Sequence, residues 1–489
     1  MSTMNFKNIF SLLCITLILS QNFLYGHSFK PEPRSGQMAT LANNKIFFMG
    51  GSRPIPKNSS VWSKTHQYNL SDEVFYLDLS SPFTVESPPF TDLSDISRMP
   101  FGSEKGSTVL GDNGQRIYLV GGVQQNMATF NYNASDSILW IYTINSQLWN
   151  TSGSGTYGTL LPRRRSTATI INSKNVIYIF GGRVALDMGS SVFTVFDDLF
   201  TFDTNSLEWK NLSLPNHPSK RYHCTATLMP DGRVIYIGGL TQSNPGDNAT
   251  RLFMTEIYIF DTVQSTWSLK TANSPDSVNI DPRVGHTAVL APDNHTIVIF
   301  GGTQSYGNGQ TTSYPVFVLL DVKSEPFQYS APTPSGSIPP PLAFHTATLY
   351  QGCMIVAFGN ITNDFGPSNN ASADVYLMDL SNYKWVTQFR KTPDNNELII
   401  IICSTVGVLV IICIILWLFV CQPWNINQGI GHNSGNNNVY NNVHNNGHNN
   451  GQTNGHINGQ INGQINGQIN EQINGQINRQ SYEPGEQLC

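Results

Sequence analysis

One short phrase recurs six times along the 489-residue chain: an apolar strand that ends at a pair of glycines. Successive copies are 57 to 71 residues apart. Such a period indicates a stack of similar structural units rather than a single functional site, because each unit needs neighbours to bury its apolar faces. The copies read IFFMGG at 46–51, IYLVGG at 117–122, IYIFGG at 177–182, VIYIGG at 234–239, IVIFGG at 297–302 and MIVAFGN at 354–360.

The residues around each glycine pair predict three further strands per unit. An alternating small-and-apolar stretch, such as TATI at 167–170, comes before the pair, and a second apolar run ending in an acid comes after it. An aromatic residue then follows at a fixed offset, so that Phe260 leads to Trp267. We expect Phe327 at that place in unit five and Phe83 near it in unit one. Four short strands per unit predict an all-β fold, a β-propeller of six blades.

Over roughly residues 34–390 this pattern resembles kelch repeats, whose usual period is ~50 residues. The resemblance implies that the glycines form a turn with positive φ and that the tryptophan packs between blades. In unit six we expect Asn360 in place of the second glycine, since Asn tolerates left-handed geometry. The glycines assigned to these turns are Gly50, Gly51, Gly121, Gly122, Gly181, Gly182, Gly238, Gly239, Gly301, Gly302 and Gly359.

Apolar segments at both ends predict a secreted, membrane-anchored topology. The first segment starts with Lys7 and is typical of a cleaved signal peptide; the alternative is an uncleaved anchor, but its apolar core is too short to span. The second is an uncharged apolar run long enough to cross a bilayer as a helix. We therefore expect a single-pass type I protein of the plasma membrane, with a signal peptide over 1–26, a kelch ectodomain over 27–390, a short stalk over 391–397, a transmembrane helix over 398–420 and a cytoplasmic tail over 421–489.

Asn-x-Ser/Thr acceptors on the propeller side predict a glycoprotein. Most of them fall in predicted loops between second and third strands, which emerge on one face because strands alternate in direction. If these sites carry sugar, flat protein partners should dock on the opposite face or the rim. The candidate acceptors are Asn58, Asn69, Asn133, Asn150, Asn211, Asn248, Asn294, Asn360 and Asn370.

The cytoplasmic tail is a low-complexity segment rich in Asn, Gln and Gly. From Ile457 to Gln480 it repeats Ile-Asn-Gly-x with a period of four. Asn and Gly are poor helix formers, and isolated Ile cannot bury enough surface to order the chain. We predict a disordered tail, with self-association through Gln and Asn as the functional alternative. Cys421, at the membrane edge, is a candidate for palmitoylation or an ordinary residue at the end of the span.

Charge and cysteine content exclude some classes of function. The formal net charge is −5, which predicts no polyanion partner and, with the topology, excludes nucleic acid. The ectodomain keeps Cys224 and Cys353, in units four and six. Those units are not neighbours, so we expect no disulfide between them. Cys224 is interpreted as a small buried residue.

The sequence offers no catalytic set, and we predict a non-enzymatic protein without a cofactor or metal. The fold is shared with copper radical oxidases of the galactose oxidase type, in which copper is held by two His and two Tyr, one of them cross-linked to Cys. His286 and His345 occupy equivalent places in adjacent units and could approach each other. Kelch repeats commonly carry His there for structural reasons, and a shared fold does not imply a shared function.

A recurring basic residue gives the candidate ligand-binding site. In a closed ring these arginines should lie around one mouth of the channel. They either pair locally with a strand-end acid or carbonyl or form a ring of donors for an acidic ligand, such as a glycan carboxylate or an acidic loop. The four are Arg34, Arg163, Arg221 and Arg283.

Together these features predict an extracellular recognition or adhesion module that binds an unidentified protein or glycan without catalysis. The first alternative is an extracellular copper radical oxidase. The second is a structural surface protein that clusters through its low-complexity tail.

Overall fold

The computed structural model describes residues 29–62, 69–131, 138–151, 164–185, 192–274, 278–305, 309–364 and 370–391. All of them lie in the first of two units of the chain, Met1–Ile401. The predicted signal peptide, transmembrane segment and tail lie outside the described residues, as does most of the predicted stalk, so these stay predictions. Within the described ranges, no helix has the length and hydropathy to cross a bilayer.

The first half of the described chain forms three antiparallel sheets, one for each of units one to three. A single helical turn, α1, follows unit one, and a 3₁₀ turn at Asp112–Gly114 joins the first two strands of unit two. The elements are β1 (Met38–Ala42), β2 (Lys45–Met49), β3 (Val74–Asp78), β4 (Phe83–Thr84), β5 (Phe90–Asp92), α1 (Ser94–Ser97), β6 (Gly102–Gly111), β7 (Arg116–Gln125), β8 (Leu139–Thr143), β9 (Leu148–Thr151), β10 (Ala168–Ile171), β11 (Val176–Phe180), β12 (Arg183–Ala185), β13 (Phe193–Val195), β14 (Leu199–Asp203) and β15 (Glu208–Asn211).

The second half repeats the arrangement in units four to six. Units four and five join into one eight-stranded sheet through a parallel pairing of their outermost strands. The elements are β16 (Thr225–Leu228), β17 (Arg233–Ile237), β18 (Leu240–Thr241), β19 (Thr250–Arg251), β20 (Glu256–Asp261), β21 (Thr266–Asn273), β22 (Thr287–Leu290), β23 (Thr296–Phe300), β24 (Phe317–Asp321), β25 (Phe327–Ser330), β26 (Ser335–Gly336), β27 (Leu342–Ala343), β28 (Thr346–Tyr350), β29 (Cys353–Ala357), β30 (Asn360–Ile361), β31 (Val375–Asp379), β32 (Lys384–Val386) and β33 (Gln388–Phe389).

The first strands of the six units contact one another in a circle. β1 contacts β6, β6 contacts β10, and the contacts continue through β16, β22 and β28 back to β1. Each sheet therefore presents its first strand to the centre and its last strand to the outside. The protein has an all-β, propeller-like fold with almost no helix, as the repeats predicted.

Apolar faces of neighbouring sheets form the core. One cluster joins Ile237 and Ile259 of unit four to Ile299 and Leu320 of unit five, all buried. The central strands are apolar on both faces because each sheet has a neighbour on either side. Burial of apolar area contributes ~25 cal/mol per Å² to folding, so the contacts between neighbouring sheets are the main source of the stability of the fold.

The aromatic residues of the outer strands pack against the preceding unit, as the kelch resemblance implied. Trp267 lies 5.2 Å from Phe180 of unit three, measured between ring centroids. Trp385 lies 5.2 Å from Phe300 of unit five. Trp149 donates from Nε1 to the Ser97 carbonyl of unit one, at 3.0 Å.

Two aromatic assignments were wrong. In unit five Leu320 pairs with Tyr329, so Tyr329 occupies the expected place, while Phe327 pairs with Ala272 of unit four. In unit one the partner of Leu77 is Phe90. The connection between the third and fourth strands is longer in these two units, which moves the aromatic residue away from the regular offset: Asp321 pairs with Gln328, whereas the equivalent Asp261 pairs with Thr266.

Phe83 belongs instead to a clip that joins the two ends of the circle. β33, which follows unit six, pairs with β4 of unit one through Phe389 opposite Phe83 and Gln388 opposite Thr84. The two phenylalanine rings stack at 5.2 Å. Among the described residues each unit holds four strands of its own, so the clip is an added contact rather than a strand exchanged between units.

Candidate functional site

The glycine pairs form the turns that join neighbouring units. In five units both glycines have positive φ, for example 67° at Gly121 and 86° at Gly122. The second N–H then donates to a carbonyl of the next unit. A Cβ added at Gly181 would lie 2.5 Å from the Arg221 carbonyl oxygen, so a side chain there is excluded. The six donations run from Gly51 to Ser103, Gly122 to Arg164, Gly182 to Arg221, Gly239 to Arg283, Gly302 to Leu342 and Gly359 to Arg34.

Unit six corrects the predicted glycine register. Phe358, with a φ of 61°, takes the place of the first glycine, and Gly359, with a φ of 97°, takes the place of the second. Asn360 is therefore not the second glycine position but the first residue of β30. A non-glycine residue with positive φ is unusual. Here the Phe358 ring packs 5.3 Å from that of Phe48 in unit one, which supports the conformation.

The predicted arginine ring lies in the wall of the propeller. Arg34, Arg221 and Arg283 are at most 1% exposed. Arg34 donates to the Gly50 carbonyl at 3.1 Å and Arg283 to the Gly301 carbonyl at 3.0 Å, so each holds the glycine turn of its own unit.

In unit three the arginine was assigned one residue too early. Arg163 lies outside the described residues, and Arg164 takes the equivalent position, donating to the Gly181 carbonyl at 3.1 Å.

Acidic side chains pair with three of the four wall arginines. Arg34 contacts Glu73 at 2.6 Å, Arg164 forms a bidentate pair with Asp198, and Arg221 lies 3.8 Å from Glu256. Burial lowers the pKa of Arg283 to about 10. Burial would raise the pKa of Glu73, but Arg34 and Arg53 together hold it below its usual value. The geometry favours local pairing for this ring over ligand binding.

A second circle of residues lies at the mouth of the channel, in each unit two positions after the residue whose carbonyl accepts from a second glycine. Every residue in it has positive φ, from 56° to 65°. At five of the six steps around this circle, a backbone N–H donates to a carbonyl of the preceding unit: Gly36 to Phe344, Lys105 to Gly36, Ser166 to Lys105, His223 to Ser166 and Phe344 to Gly285. The six residues are Gly36, Lys105, Ser166, His223, Gly285 and Phe344.

Phe344 closes the centre of this mouth. Its ring lies 5.2 Å from that of His223, and its centroid is 5.4 Å from the Lys105 Nζ. A Cβ on Gly285 would be 2.8 Å from the same ring. Residues from units two, four, five and six thus meet around one side chain, which is 8% exposed. The ring therefore lies on the axis.

Charged side chains gather beside Phe344 on units two and three. Arg165 and Arg183 are opposite each other in an antiparallel bridge and are 5% and 4% exposed. Glu104 is the nearby acid, and its carboxylate is 3.0 Å from the Lys105 Nζ. An apolar cluster lies beside these charged residues, and the Arg183 guanidinium lies over its Phe193 and Tyr222 rings. The cluster consists of Phe193, Val195, Tyr222, Leu240, Val284, Ala343 and Phe344.

The histidines suggested as copper ligands lie deeper, between inner strands. His345 Nε2 is 2.9 Å from Thr287 Oγ1, and His286 Nε2 is 3.4 Å from Thr225 Oγ1. Each histidine thus links its own unit to the preceding one. Burial lowers the pKa of both imidazoles to about 3, so both are neutral at physiological pH.

The described residues contain no group of three or more His, Cys, Asp and Glu side chains placed to hold a metal ion. Cys224 and Cys353 are free thiols. Burial raises the pKa of Cys224 to about 11, so it stays a thiol.

The acceptor asparagines differ in exposure. Asn69 is 5% exposed and donates to the Pro54 carbonyl at 3.2 Å, so a glycan on Asn69 is incompatible with this packing. Asn360 is half-buried, and Asn133 lies outside the described residues. The remaining acceptors are exposed: Asn58, Asn150, Asn211, Asn248, Asn294 and Asn370. Of these, Asn58, Asn248 and Asn370 lie between second and third strands, on the face that carries the mouth.

The mouth cluster was missed from the sequence. Arg165 follows a recurring arginine and Arg183 follows a glycine pair, and neither position repeats its residue type in the other units. The repeat could nevertheless have indicated that Arg165 and Arg183 are partners. In every unit, the residue after the wall position pairs with the residue after the glycine pair, so arginines at both positions must lie opposite each other.

Comparison with known proteins agrees with this architecture. A family model for the Attractin/LZTR1 β-propeller matches residues 20–268 and 117–400. A kelch repeat-containing protein of Arthroderma benhamiae is 23% identical over 75% of this chain and 58% of its own length. The kelch-like protein terF of Aspergillus terreus is 25% identical over 48% of this chain and 45% of its own length.

The chain thus spans less than two thirds of these two relatives. Among solved structures, YjhT is similar with a TM-score of 0.46 and 14% identity, over 74% of this chain and 98% of that one. The family model covers most of the chain, including all six glycine turns. The chain belongs to the Attractin/LZTR1 β-propeller family of kelch-repeat proteins.

Proposed function

We propose that this chain is a non-catalytic recognition protein: a six-bladed propeller held outside the cell by one transmembrane helix, binding a protein or a carbohydrate. The observation that carries the proposal is the closed circle of turns. Six second-position glycines each donate to the next unit, and the last returns to Arg34. A closed wheel of this kind is a rigid scaffold from which loops can present binding residues.

The groups that could support chemistry are already used in the fold. His286 and His345 hold neighbouring strands, and the wall arginines hold the glycine turns. These roles favour binding over catalysis. Copper content and peroxide release from the purified protein test the oxidase alternative, and a stoichiometric copper with peroxide formation would overturn the proposal.

Exposed sequons support an outward-facing propeller. Asn58, Asn248 and Asn370 are exposed on the mouth face, whereas Asn69 is buried. We expect glycans on the first three and none on Asn69, as measured by mass spectrometry after glycosidase treatment. Protease protection of the propeller in intact cells would contradict the outward orientation.

The ligand class is tested with the full chain in nanodiscs, screened against protein and glycan arrays. We expect binding that survives in the Lys45→Ala variant, whose substitution lies away from the mouth, and that is lost when Phe344, at the centre of the mouth, is replaced by Ala. A screen with no reproducible ligand, from protein shown to be folded by circular dichroism, would sink the recognition function.

A further inference from the structure

The last strands of the six units differ in what lies beside their outer edges. In units four and five the two last strands cover each other, because β21 and β25 pair in parallel. In unit six β26 pairs with the last strand, β32. In unit one the last strand, β5, has three residues and follows Pro88 and Pro89, which cannot donate to a ladder. In the described chain, four of the six outer edges are therefore either covered or short.

The outer edges of β9 in unit two and β15 in unit three are open. Each strand is the last of its sheet and pairs on one side only, β9 with β8 and β15 with β14. Among the residues that the structure describes, no other backbone hydrogen bond reaches either strand. In an antiparallel ladder every second residue turns its N–H and C=O groups away from the partner. Each open edge is therefore a place where a strand of another molecule can pair.

The two open edges differ in the side chains that oppose such pairing. β15 contains Glu208 and Lys210, both exposed, and charged side chains on an edge strand disfavour pairing with a second chain. β9 reads LWNT and contains no charge, and its Leu148 is 60% exposed. On the protein surface alone, β9 should therefore associate with another strand more readily than β15.

Both open strands contain a glycosylation acceptor. Asn150 of β9 begins the sequence Asn-Thr-Ser, and Asn211 of β15 begins Asn-Leu-Ser. Both asparagines are exposed. The last strands of the other four units contain no such acceptor. The acceptors thus occur in the two last strands whose edges are open, and in neither the covered strands nor the short one.

We propose that Asn150 and Asn211 carry N-linked glycans that shield the open edges of β9 and β15 from pairing with a second copy of the chain. A strand that pairs must approach to about 4.8 Å, and a bulky, hydrated glycan attached to the same strand obstructs that approach. The inference rests on the outward orientation in the proposed function, because N-linked glycans mark secreted surfaces.

The position of these acceptors suits protection of the fold rather than ligand recognition. Both lie in the outermost strands of their sheets, whereas the first strands of the six units surround the axis. A glycan on β9 or β15 therefore leaves access to the mouth unchanged. Loss of these glycans should alter self-association and leave ligand binding at the mouth as it is in the wild type.

The first test maps glycan occupancy on the full chain made in a eukaryotic secretory host. Glycopeptide mass spectrometry should find sugar on Asn150 and Asn211 as well as on the exposed loop acceptor Asn248. Sugar on Asn248 with none on either edge acceptor would overturn the inference and leave the outward orientation intact. The absence of sugar from every acceptor would contradict the outward orientation itself.

The second test removes the glycan of β9 in two ways and measures self-association of the full chain in nanodiscs by sedimentation velocity. Asn150→Gln removes the acceptor and leaves the edge uncharged. Thr151→Lys destroys the same acceptor but adds a charge to the edge. We expect N150Q to associate roughly tenfold more strongly than the wild type, and T151K to associate like the wild type because its charge replaces the glycan as the obstacle.

Two further variants give the scale of the effect. Asn211→Gln should strengthen self-association less than N150Q does, because Glu208 and Lys210 remain on β15. Asn248→Gln, which removes a loop glycan and exposes no strand edge, is the matched control and should associate like the wild type. The low-complexity tail is present in every variant, so its contribution to self-association cancels in the comparison.

Circular dichroism and Tm separate edge pairing from misfolding. A folded N150Q that associates no more than the wild type would overturn the inference, as would equal association of N150Q and T151K. If N150Q does not fold, the folded wild type trimmed to single sugars by an endoglycosidase takes its place, and it must then self-associate for the inference to stand. Occupied edge acceptors without any ligand in the array screens would remove the recognition function and leave this inference, so the two failures are distinguishable.

Discussion

Arg164 and Arg165 are consecutive in the chain and are buried to nearly the same extent, at 2% and 5% exposed, but their surroundings are opposite. Arg164 donates to the Gly181 carbonyl, pairs with Asp198 and lies over the Phe196 ring at 3.5 Å. Arg165 has no such partner among the described residues. Because successive side chains along an extended segment point to opposite sides, one enters the wall and the other the mouth.

This comparison distinguishes two kinds of buried arginine. The wall arginines recur in most units with a carbonyl and an acid, so their charge belongs to the architecture. Arg165 does not recur: the equivalent positions in the other units are Ser35, Glu104, Tyr222, Val284 and Ala343. A buried cation whose partners are all supplied by the fold can stabilise it, whereas one without such partners costs stability.

The largest effect should come from breaking the wall. Arg164→Gln removes the ion pair and the hydrogen bond to the glycine turn, so we expect a loss of roughly 3–5 kcal/mol in the free energy of unfolding. Urea denaturation followed by circular dichroism measures it. A loss below about 1 kcal/mol would mean that the two arginines do not differ as described.

The next effect concerns the glycine turn beside Arg164. In Gly121→Ala the new methyl group meets the Arg164 carbonyl oxygen at a φ of 67°, so we expect a cost of about 2–4 kcal/mol from strain and contact. Gly246→Ala is the matched control: its φ is 92°, and a Cβ there meets nothing within 4 Å. Equal losses in the two variants would show that the contact between units is unimportant.

Acid should weaken the inner wall through His286 and His345. Their pKa is about 3 in the fold and ~6.5 in the unfolded chain. Above ~pH 6.5 both states are neutral and stability does not change. As the pH falls towards 3, only the unfolded chain gains protons, so stability declines by about 1.4 kcal/mol per histidine at pH 5.5.

The check is the pH dependence of urea unfolding in the wild type and in the His286→Gln/His345→Gln variant. The variant should lose the part of the slope between pH 6.5 and 5 that comes from these groups. An identical slope in both proteins would place the acid sensitivity elsewhere.

The smallest effect should come from the mouth. Arg165→Gln removes a buried cation that has no partner among the described residues, so we expect a change of at most about 1 kcal/mol, in favour of the variant. The same urea experiment measures it beside Arg164→Gln. A loss as large as that of Arg164→Gln would make Arg165 a part of the wall.

The repeat could be predicted because its determinants are local. Gly-Gly marks a turn that tolerates few other residues, and the apolar run before it is a buried strand whose register follows from that turn. The correct prediction of an all-β, propeller-like fold needed only the rule that sheets without partners stack. Where the local signal changes, prediction failed: in unit six Phe358 replaces a glycine, and the search for glycine moved the register by one residue.

The arginines show the limit more clearly. Arg163, Arg164 and Arg165 are adjacent in a run of three, so the sequence does not say which of them enters the wall. The partner of Arg164 is Asp198, and the residue facing Arg165 is Arg183. Both partners are distant in sequence, and they come close only when strands on either side of a loop pair. That pairing depends on the packing of the whole unit.

The clip between β33 and β4 has a mechanical consequence. The clip pairs two residues of β33 with two residues of β4. Along the chain, β33 ends directly before Arg390. Any force applied to the chain beyond that point reaches this short ladder before it reaches a four-stranded sheet. Traction on the chain beyond Arg390 would therefore loosen the junction of units six and one first.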